Sequence, residues 1–262
     1  MVRVEAFLID LDGTLYLERE PVPGAKEFIE ELEIRNIPYL LLTNNSTRTP
    51  RQVSERLRTM GIEVQSSRIY TSANALGDYI REHYPGPYKA YAIGEDGISE
   101  EVRNSGWLIV DSHREADFVL VGLDRKLTYD KLAEAVLAIQ KGARFIACNA
   151  DSSFPTPEGL LPGAGAIVNA IKTVVGIEPL VLGKPNDYII NYAVKRLGVD
   201  LRKTAIVGDR LDTDIMLGKK MGMITILVMT GVRKSKEDIL RISPDFVFDN
   251  IGELWKNISK LL

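Results

Sequence analysis

Short apolar runs alternate with amphipathic segments along most of this 262-residue chain. The runs 6–9 and 37–42 contain no polar residue, so each predicts a strand that is buried on both faces, as in a parallel sheet. Between them, Phe28, Ile29 and Leu32 recur at helical spacing and predict a helix with one apolar face. Because strands and helices alternate, the pattern predicts an α/β fold, a doubly wound and mostly parallel sheet.

The same alternation predicts further elements over the rest of the chain. We expect helices at about 50–60, after Ser72 through about Tyr84, at 95–104 and at 129–141. We expect strands at 69–72, 89–93, 107–110, 118–121 and 145–148. In the last third, strands at 204–207, 224–228 and 246–248 precede a short amphipathic helix.

Two domains are predicted, one inserted into the other. Pro85-Gly86-Pro87 is typical of a hinge, and a second α/β unit begins after it. Strand–helix units of the first type resume beyond about residue 181. We therefore expect a discontinuous core of residues 1–75 and 183–262, with residues 76–182 forming a smaller inserted α/β domain.

Composition and charge narrow the class of protein. A formal net charge of -3 argues against a general nucleic-acid binder. No apolar run approaches the ~20 residues of a membrane helix, and the N-terminus lacks the layout of a signal peptide. Cys148 is the only cysteine, which excludes an intrachain disulfide and favours a reducing compartment. We expect a cytoplasmic protein that binds neither nucleic acid nor a membrane.

The most informative stretch is Asp10-Leu11-Asp12-Gly13-Thr14, directly after the first predicted strand. Two carboxylates ~4 Å apart repel each other by roughly 4 kcal/mol at an effective dielectric constant near 20. A fold that keeps both ionised needs a cation or a phosphate-transfer task, and Mg2+ prefers a few carboxylates together with water and substrate phosphate. The alternative is a solvated turn, because Asp-Gly is common turn chemistry.

Three more polar clusters follow strands or adjoin a helix start. They are Thr43-Asn44-Asn45, Gly183-Lys184-Pro185 and the segment 208–214 with Asp209 and Asp214. Each has a structural alternative: a helix cap at 45–47, a surface lysine, and acidic residues in a first helical turn. One parallel sheet would bring all four clusters to the same edge, where open α/β sheets bind ligands.

These residues resemble the four ordered motifs of the haloacid dehalogenase (HAD) superfamily of phosphotransferases: D-x-D-G-T at 10–14, Thr43, Lys184, and G-D-x-x-x-T-D at 208–214. Thr43-Asn44-Asn45 and Gly183-Lys184-Pro185 more specifically resemble the NagD-like branch, which includes 4-nitrophenylphosphatase. That branch has a large α/β cap of type IIA between the second and third motifs. The resemblance therefore implies a Rossmann-like HAD core, with residues 76–182 as the cap.

The resemblance also implies a mechanism. Asp10 would be the nucleophile that forms an aspartyl-phosphate. Asp12 would protonate the leaving oxygen and then deprotonate the attacking water. Lys184 would neutralise phosphoryl oxygens. The protein would accordingly be a phosphatase that hydrolyses a small phosphorylated metabolite.

The implied binding residues fall into two sets. The phosphate-binding set is Thr43, Asn44, Asn45 and Lys184. The metal set would hold Mg2+ through the carboxylates of Asp10 and Asp209 and the backbone carbonyl of Asp12, with Asp214 orienting metal-bound water. An exposed sheet in the cap would support a homodimer.

Three other functions remain open. A phosphotransferase or phosphomutase shares this core, but such relatives usually carry a small helical cap after the first motif, where this chain has only residues 16–22. A phospho-accepting signalling protein would need slow dephosphorylation, which Asp12 would instead accelerate. A catalytically inactive binding protein is disfavoured because no motif residue is missing.

Overall fold

The computed structural model describes residues 3–156 and 158–262, so Met1 and Val2 of the predicted core lie outside the described residues. Its strands alternate with helices along the chain, and the predicted α/β class is confirmed. The strands are β1 (Ala6–Asp10), β2 (Tyr16–Leu17), β3 (Glu20–Pro21), β4 (Tyr39–Thr43), β5 (Ile69–Thr71), β6 (Lys89–Ile93), β7 (Leu108–Ile109), β8 (Phe118–Val121), β9 (Arg144–Ala147), β10 (Ser153–Thr156), β11 (Gly159–Pro162), β12 (Leu180–Val181), β13 (Thr204–Gly208), β14 (Ile224–Val228) and β15 (Phe246–Phe248).

The helices follow the predicted spacing of apolar residues. They are α1 (Ala25–Ile34), α2 (Pro50–Thr59), α3 (Ser72–His83), α4 (Asp96–Asn104), α5 (Tyr129–Gln140), α6 (Ala164–Val175), α7 (Tyr188–Leu197), α8 (Met216–Met221), α9 (Lys236–Ile242) and α10 (Ile251–Asn257). Within the described ranges, none of these helices is both long enough and apolar enough to cross a membrane.

Contacts divide the chain into two compact units. The first comprises Met1–Thr43, Arg51–Tyr70 and Ile190–Leu262, and the second comprises Asn44–Pro50 and Thr71–Ile189. The functional division into a core of 1–75 and 183–262 and a cap of 76–182 stays a prediction.

The first unit is built on a six-stranded sheet in the order β15-β14-β13-β1-β4-β5. The central strand β1 pairs in parallel with β13 on one side and with β4 on the other. Every residue of β1 is buried, which explains why its sequence is an unbroken apolar run up to Asp10. Near the ends of the chain, the Val4 amide donates a hydrogen bond of 2.8 Å to the Leu261 carbonyl.

The second unit is built on a five-stranded parallel sheet in the order β12-β9-β8-β6-β7. Val119 and Val121 of β8 lie in its core. Ala138 of α5 and Ile171 of α6 belong to the same apolar cluster. The crossover helices therefore bury the sheet, as expected for parallel strands.

Two hairpins were not predicted, β2–β3 in the first unit and β10–β11 in the second. The strands of the first have two residues each, too few to show a period. In the second, Leu160 and Leu161 are exposed, so the residues of β11 lack the alternating burial that identifies a strand.

The close approach of α1 and α10 generates a prediction about stability. Gly24 precedes α1 with φ of +88°, and a Cβ there would lie 2.2 Å from the Cα of Gly252. Gly61 has φ of +77° with open space around it. We expect Gly61→Ala to destabilise by about 1 kcal/mol through backbone strain alone, and Gly24→Ala by a further ~1 to 3 kcal/mol through steric overlap. Urea unfolding of the two variants measures the difference, and equal losses would contradict the prediction.

Candidate active site

Three predicted site residues lie at the carboxyl edge of the first sheet. Asp10 ends β1 and Thr43 ends β4, while Asp209 directly follows β13. The register pairs Asp10 with Leu42 in β4 and Ile9 with Val207 in β13. All three side chains are buried. Parallel pairing therefore places the three residues at one edge of the sheet, as the sequence predicted.

Asp10, Asp209 and Asp214 form an acidic cluster. Each offers a carboxylate oxygen, and the three oxygens lie within 4.8 Å of one another. Asp214 is fully buried and belongs to a π-helical turn, Leu211–Ile215, that leads into α8. At separations of 4.8 Å or less, each pair of ionised carboxylates repels by roughly 3 kcal/mol or more at an effective dielectric constant near 20. The donor set is all oxygen and negatively charged, so it fits a hard divalent cation.

Two glycines make room for Asp209. Gly13 has φ of +90°, and a Cβ there would lie 2.6 Å from the Asp209 Cγ atom. Gly231 has φ of +69°, and a Cβ there would lie 2.1 Å from the Asp209 Oδ2 atom. Both positions combine left-handed backbone with close approach, which only glycine tolerates. Gly13 therefore permits two things, the turn after Asp10 and close packing against Asp209.

The loop after β14 supports the cluster, a role that was not predicted from the sequence. The Val232 amide donates a hydrogen bond of 2.7 Å to the Asp209 Oδ2 atom. The Thr230 hydroxyl donates one of 2.7 Å to the Gly13 carbonyl. A Thr-Gly pair just beyond a predicted strand of the same sheet was the available signal. The loop thereby holds both Asp209 and the turn after Asp10.

Lys234 holds this loop in shape. Its ammonium donates hydrogen bonds to the carbonyls of Val228, at 3.0 Å, and Thr230, at 2.6 Å. Burial lowers the pKa of Lys234, while the negative charges of Asp209 and Asp214 act in the opposite direction. The loop therefore carries a partly buried cation in the electrostatic field of the acidic cluster.

Asp12 differs from the cluster residues because it is exposed. It forms an isolated β-bridge with Tyr16. Burial of Tyr16, followed by the charge of Asp12 and a hydrogen bond to it, raises the pKa of the Tyr16 phenol. Tyr16 is therefore a neutral phenol that donates to the Asp12 carboxylate. It orients a side chain that remains accessible to solvent.

The other predicted phosphate-binding residues belong to the second unit. Lys184 is only 3% exposed. Its amide donates a hydrogen bond of 2.8 Å to the Asn44 Oδ1 atom, although the two residues are 140 positions apart in sequence. The Asn45 Oδ1 atom accepts from the amide and hydroxyl of Thr47, at 2.9 and 2.7 Å. Asn44 and Lys184 are thus brought together, and their roles in binding phosphate stay predictions.

Comparison with known proteins places the chain in a family. Residues 7–108 match haloacid dehalogenase-like hydrolases, and residues 181–254 match the HAD-hydrolase-like group. An acid sugar phosphatase of Staphylococcus aureus (strain USA300) is 42% identical over 262 residues, covering 99% of this chain and 100% of the relative. This chain belongs to the haloacid dehalogenase-like hydrolases.

Solved structures place this hydrolase more narrowly. NagD from Escherichia coli K-12 superposes with a TM-score of 0.88 at 34% identity, covering 96% of this chain and 98% of NagD. A p-nitrophenyl phosphatase from Archaeoglobus fulgidus gives 0.89 at 35% identity, covering 97% of this chain and 99% of that protein. The predicted NagD-like branch is confirmed, and the hydrolase is a phosphoric monoester hydrolase. Phosphatases of this family use a divalent metal, and the acidic cluster offers suitable ligands.

The acidic cluster predicts that divalent metal stabilises the fold. An ion at ~100 times its Kd stabilises the native state by about 2.7 kcal/mol. We expect the Tm to be higher with Mg2+ than with a chelator, and Asp209→Ala to abolish that difference because a buried ligand is lost. Asp249→Ala is a matched control, since Asp249 is exposed and outside the cluster. An undiminished metal-dependent shift in Asp209→Ala would remove Asp209 from the metal site.

Proposed function

We propose that this hydrolase is a Mg2+-dependent phosphatase that cleaves a small phosphomonoester through an aspartyl-phosphate on Asp10. The observation that supports this most strongly is the buried acidic cluster at the carboxyl end of β1. Three like charges so close together need a cation. Asp10 belongs to this cluster and also occupies the position of the nucleophile in the family motif. The proposed site therefore joins the nucleophile to the metal.

The reaction divides into two steps. In the first, an Asp10 carboxylate oxygen bonds to phosphorus while the bond from phosphorus to the leaving oxygen breaks, and Asp12 protonates that oxygen. In the second, Asp12 takes a proton from water as the water oxygen attacks phosphorus, which releases phosphate and restores Asp10. The exposure of Asp12 and its hydrogen bond to Tyr16 support this proton-transfer role.

The remaining motif residues would stabilise the transferring group. Lys184 would neutralise phosphoryl oxygens, and the Thr43 hydroxyl would donate a hydrogen bond to them. Backbone amides around Asn44 and Asn45 would complete the set. Residues 76–182, as a cap over a core of 1–75 and 183–262, would exclude bulk water and select the leaving group.

The metal would be held by Asp10, Asp209 and the backbone carbonyl of Asp12. When bound, it supplies positive charge against the phosphoryl oxygens. Asp214 would orient metal-bound water, and its oxygen lies within the same 4.8 Å as those of Asp10 and Asp209. Mg2+ suits this set because it prefers oxygen ligands and keeps several waters.

A sugar phosphate is the first substrate class to test. The relative from Staphylococcus aureus that is 42% identical over 99% of this chain is named an acid sugar phosphatase. A screen of sugar phosphates, phosphoglycolate, pyridoxal phosphate and nucleoside monophosphates with Mg2+ would rank the candidates. Release of many equivalents of free phosphate per enzyme separates a phosphatase from a phosphomutase, which returns the group to substrate. It also separates it from a signalling protein, which releases about one equivalent of the leaving group and keeps the phosphoryl group on the aspartate.

The nucleophile provides the direct test. Asp10→Asn keeps the shape of the side chain but removes the carboxylate nucleophile, so we expect kcat to fall by at least about a thousandfold. Circular dichroism should show an unchanged fold. Phosphate release from 4-nitrophenyl phosphate with Mg2+ measures the loss, with Asp249→Asn as the matched control. An Asp10→Asn variant with full activity would refute the assigned nucleophile.

A further inference from the structure

The side chain of Asn44 forms hydrogen bonds with both backbone groups of Lys184, its amide and its carbonyl. The Lys184 amide donates to the Asn44 Oδ1 atom at 2.8 Å, and the Asn44 Nδ2 atom donates to the Lys184 carbonyl at 2.9 Å. One side-chain amide thus pairs with both peptide groups of the lysine, as a neighbouring strand would. Because Lys184 is 3% exposed, losing this pairing would leave two buried backbone groups without those partners.

Asp151 sets the orientation of that amide. The Asn44 Nδ2 atom lies 3.1 Å from each oxygen of the Asp151 carboxylate. An ionised carboxylate can only accept hydrogen bonds, so the amide must present its NH2 group to Asp151 and its oxygen to the Lys184 amide. The opposite orientation would set oxygen against oxygen and NH2 against N–H. The carboxylate therefore selects the orientation that fits Lys184.

The backbone around Asn44 is fixed as well. The Asn44 carbonyl accepts hydrogen bonds from the Ser72 hydroxyl at 2.5 Å and from the Asn149 Nδ2 atom at 2.7 Å. A Cβ at Gly183 would lie 2.7 Å from the Asn44 Oδ1 atom. Glycine before the lysine is therefore what lets the amide approach the peptide chain this closely.

This arrangement leaves the Asn44 side chain little capacity to bind phosphate. A phosphoryl oxygen needs a hydrogen-bond donor, and the only donor of an asparagine side chain is its NH2 group. Here that group already faces the Asp151 carboxylate and the Lys184 carbonyl. From the geometry we infer that Asn44 and Asp151 are positioning residues that hold the Lys184 backbone, and that the Asn44 side chain is not a phosphate ligand. This inference rests on the proposed role of Lys184.

A double-mutant cycle tests the inference. Asn44→Ala should lower kcat/KM by about tenfold to a hundredfold, because a misplaced lysine stabilises the transition state poorly. In a Lys184→Ala background the same substitution should change kcat/KM by less than about twofold, since it acts only through the lysine. The Ki of inorganic phosphate, a competitive probe, should follow the same pattern. If the loss of kcat/KM or of phosphate affinity in the double variant equals the product of the losses in the two single variants, the inference is overturned.

Asp151 gives a second arm that does not depend on the folding of Asn44→Ala. Asp151→Ala removes the orienting acceptor and should lower kcat/KM by about tenfold, again only when Lys184 is present. Asp151→Asn keeps one acceptor oxygen and should restore most of that loss. Asn169→Ala is the control, because Asn169 is exposed on α6. Equal losses in Asp151→Asn and Asp151→Ala would contradict a role through this hydrogen bond.

The two proposals fail in different ways. Wild-type kinetics in Lys184→Ala would refute the proposed role of the lysine in catalysis. A large effect of Lys184→Ala combined with multiplicative effects of Asn44→Ala would leave the phosphatase mechanism intact and overturn only the positioning role. Thermal unfolding of every variant separates a loss of fold from a loss of alignment.

Discussion

Electrostatic repulsion among buried carboxylates is the constraint that organises the first unit. Asp10, Asp209 and Asp214 are held within 4.8 Å of one another and away from water, an arrangement that opposes folding unless positive charge compensates it. The arrangement is held by the central strand β1, the π-helical turn 211–215 and two glycines in left-handed backbone, Gly13 and Gly231. Buried like charges held close together are typical of functional sites.

The two units supply different kinds of chemistry. The sheet edge of the first gathers acidic oxygens. In the loop 229–235, the Val232 amide restrains the Asp209 carboxylate and the Thr230 hydroxyl restrains the Gly13 carbonyl. The second fixes a buried lysine by pairing its peptide groups with an asparagine. The Val232 amide fixes a carboxylate oxygen of Asp209 directly, whereas the Asn44 side chain holds Lys184 through the peptide groups of that lysine. Preorganisation of this kind is the main source of electrostatic stabilisation in enzymes.

Much of this architecture was accessible from the sequence, for identifiable reasons. Buried parallel strands are continuous apolar runs, so β6, β8, β14 and β15 have the bounds predicted. The shared edge of Asp10 and Asp209 followed from their positions just at or after the ends of strands in one parallel sheet. The contact of Asn44 with Lys184 could not be predicted from the sequence. It joins residues 140 positions apart, and no local spacing of residues indicates such a contact. The roles of Tyr16 and Val232 were missed for a related reason: the first acts through burial and the second through a backbone amide, which any residue except proline provides.

The position of β1 has a consequence for biosynthesis. This strand is synthesised well before one of its two paired neighbours, β13, which begins at Thr204. At about 5 to 20 residues per second, a ribosome needs roughly 10 to 40 s to bridge that interval. Throughout it the nascent chain carries an apolar strand with an open edge, the kind of segment that recruits chaperones or aggregates. The acidic cluster therefore cannot assemble on the ribosome until Asp209 and Asp214 have been synthesised.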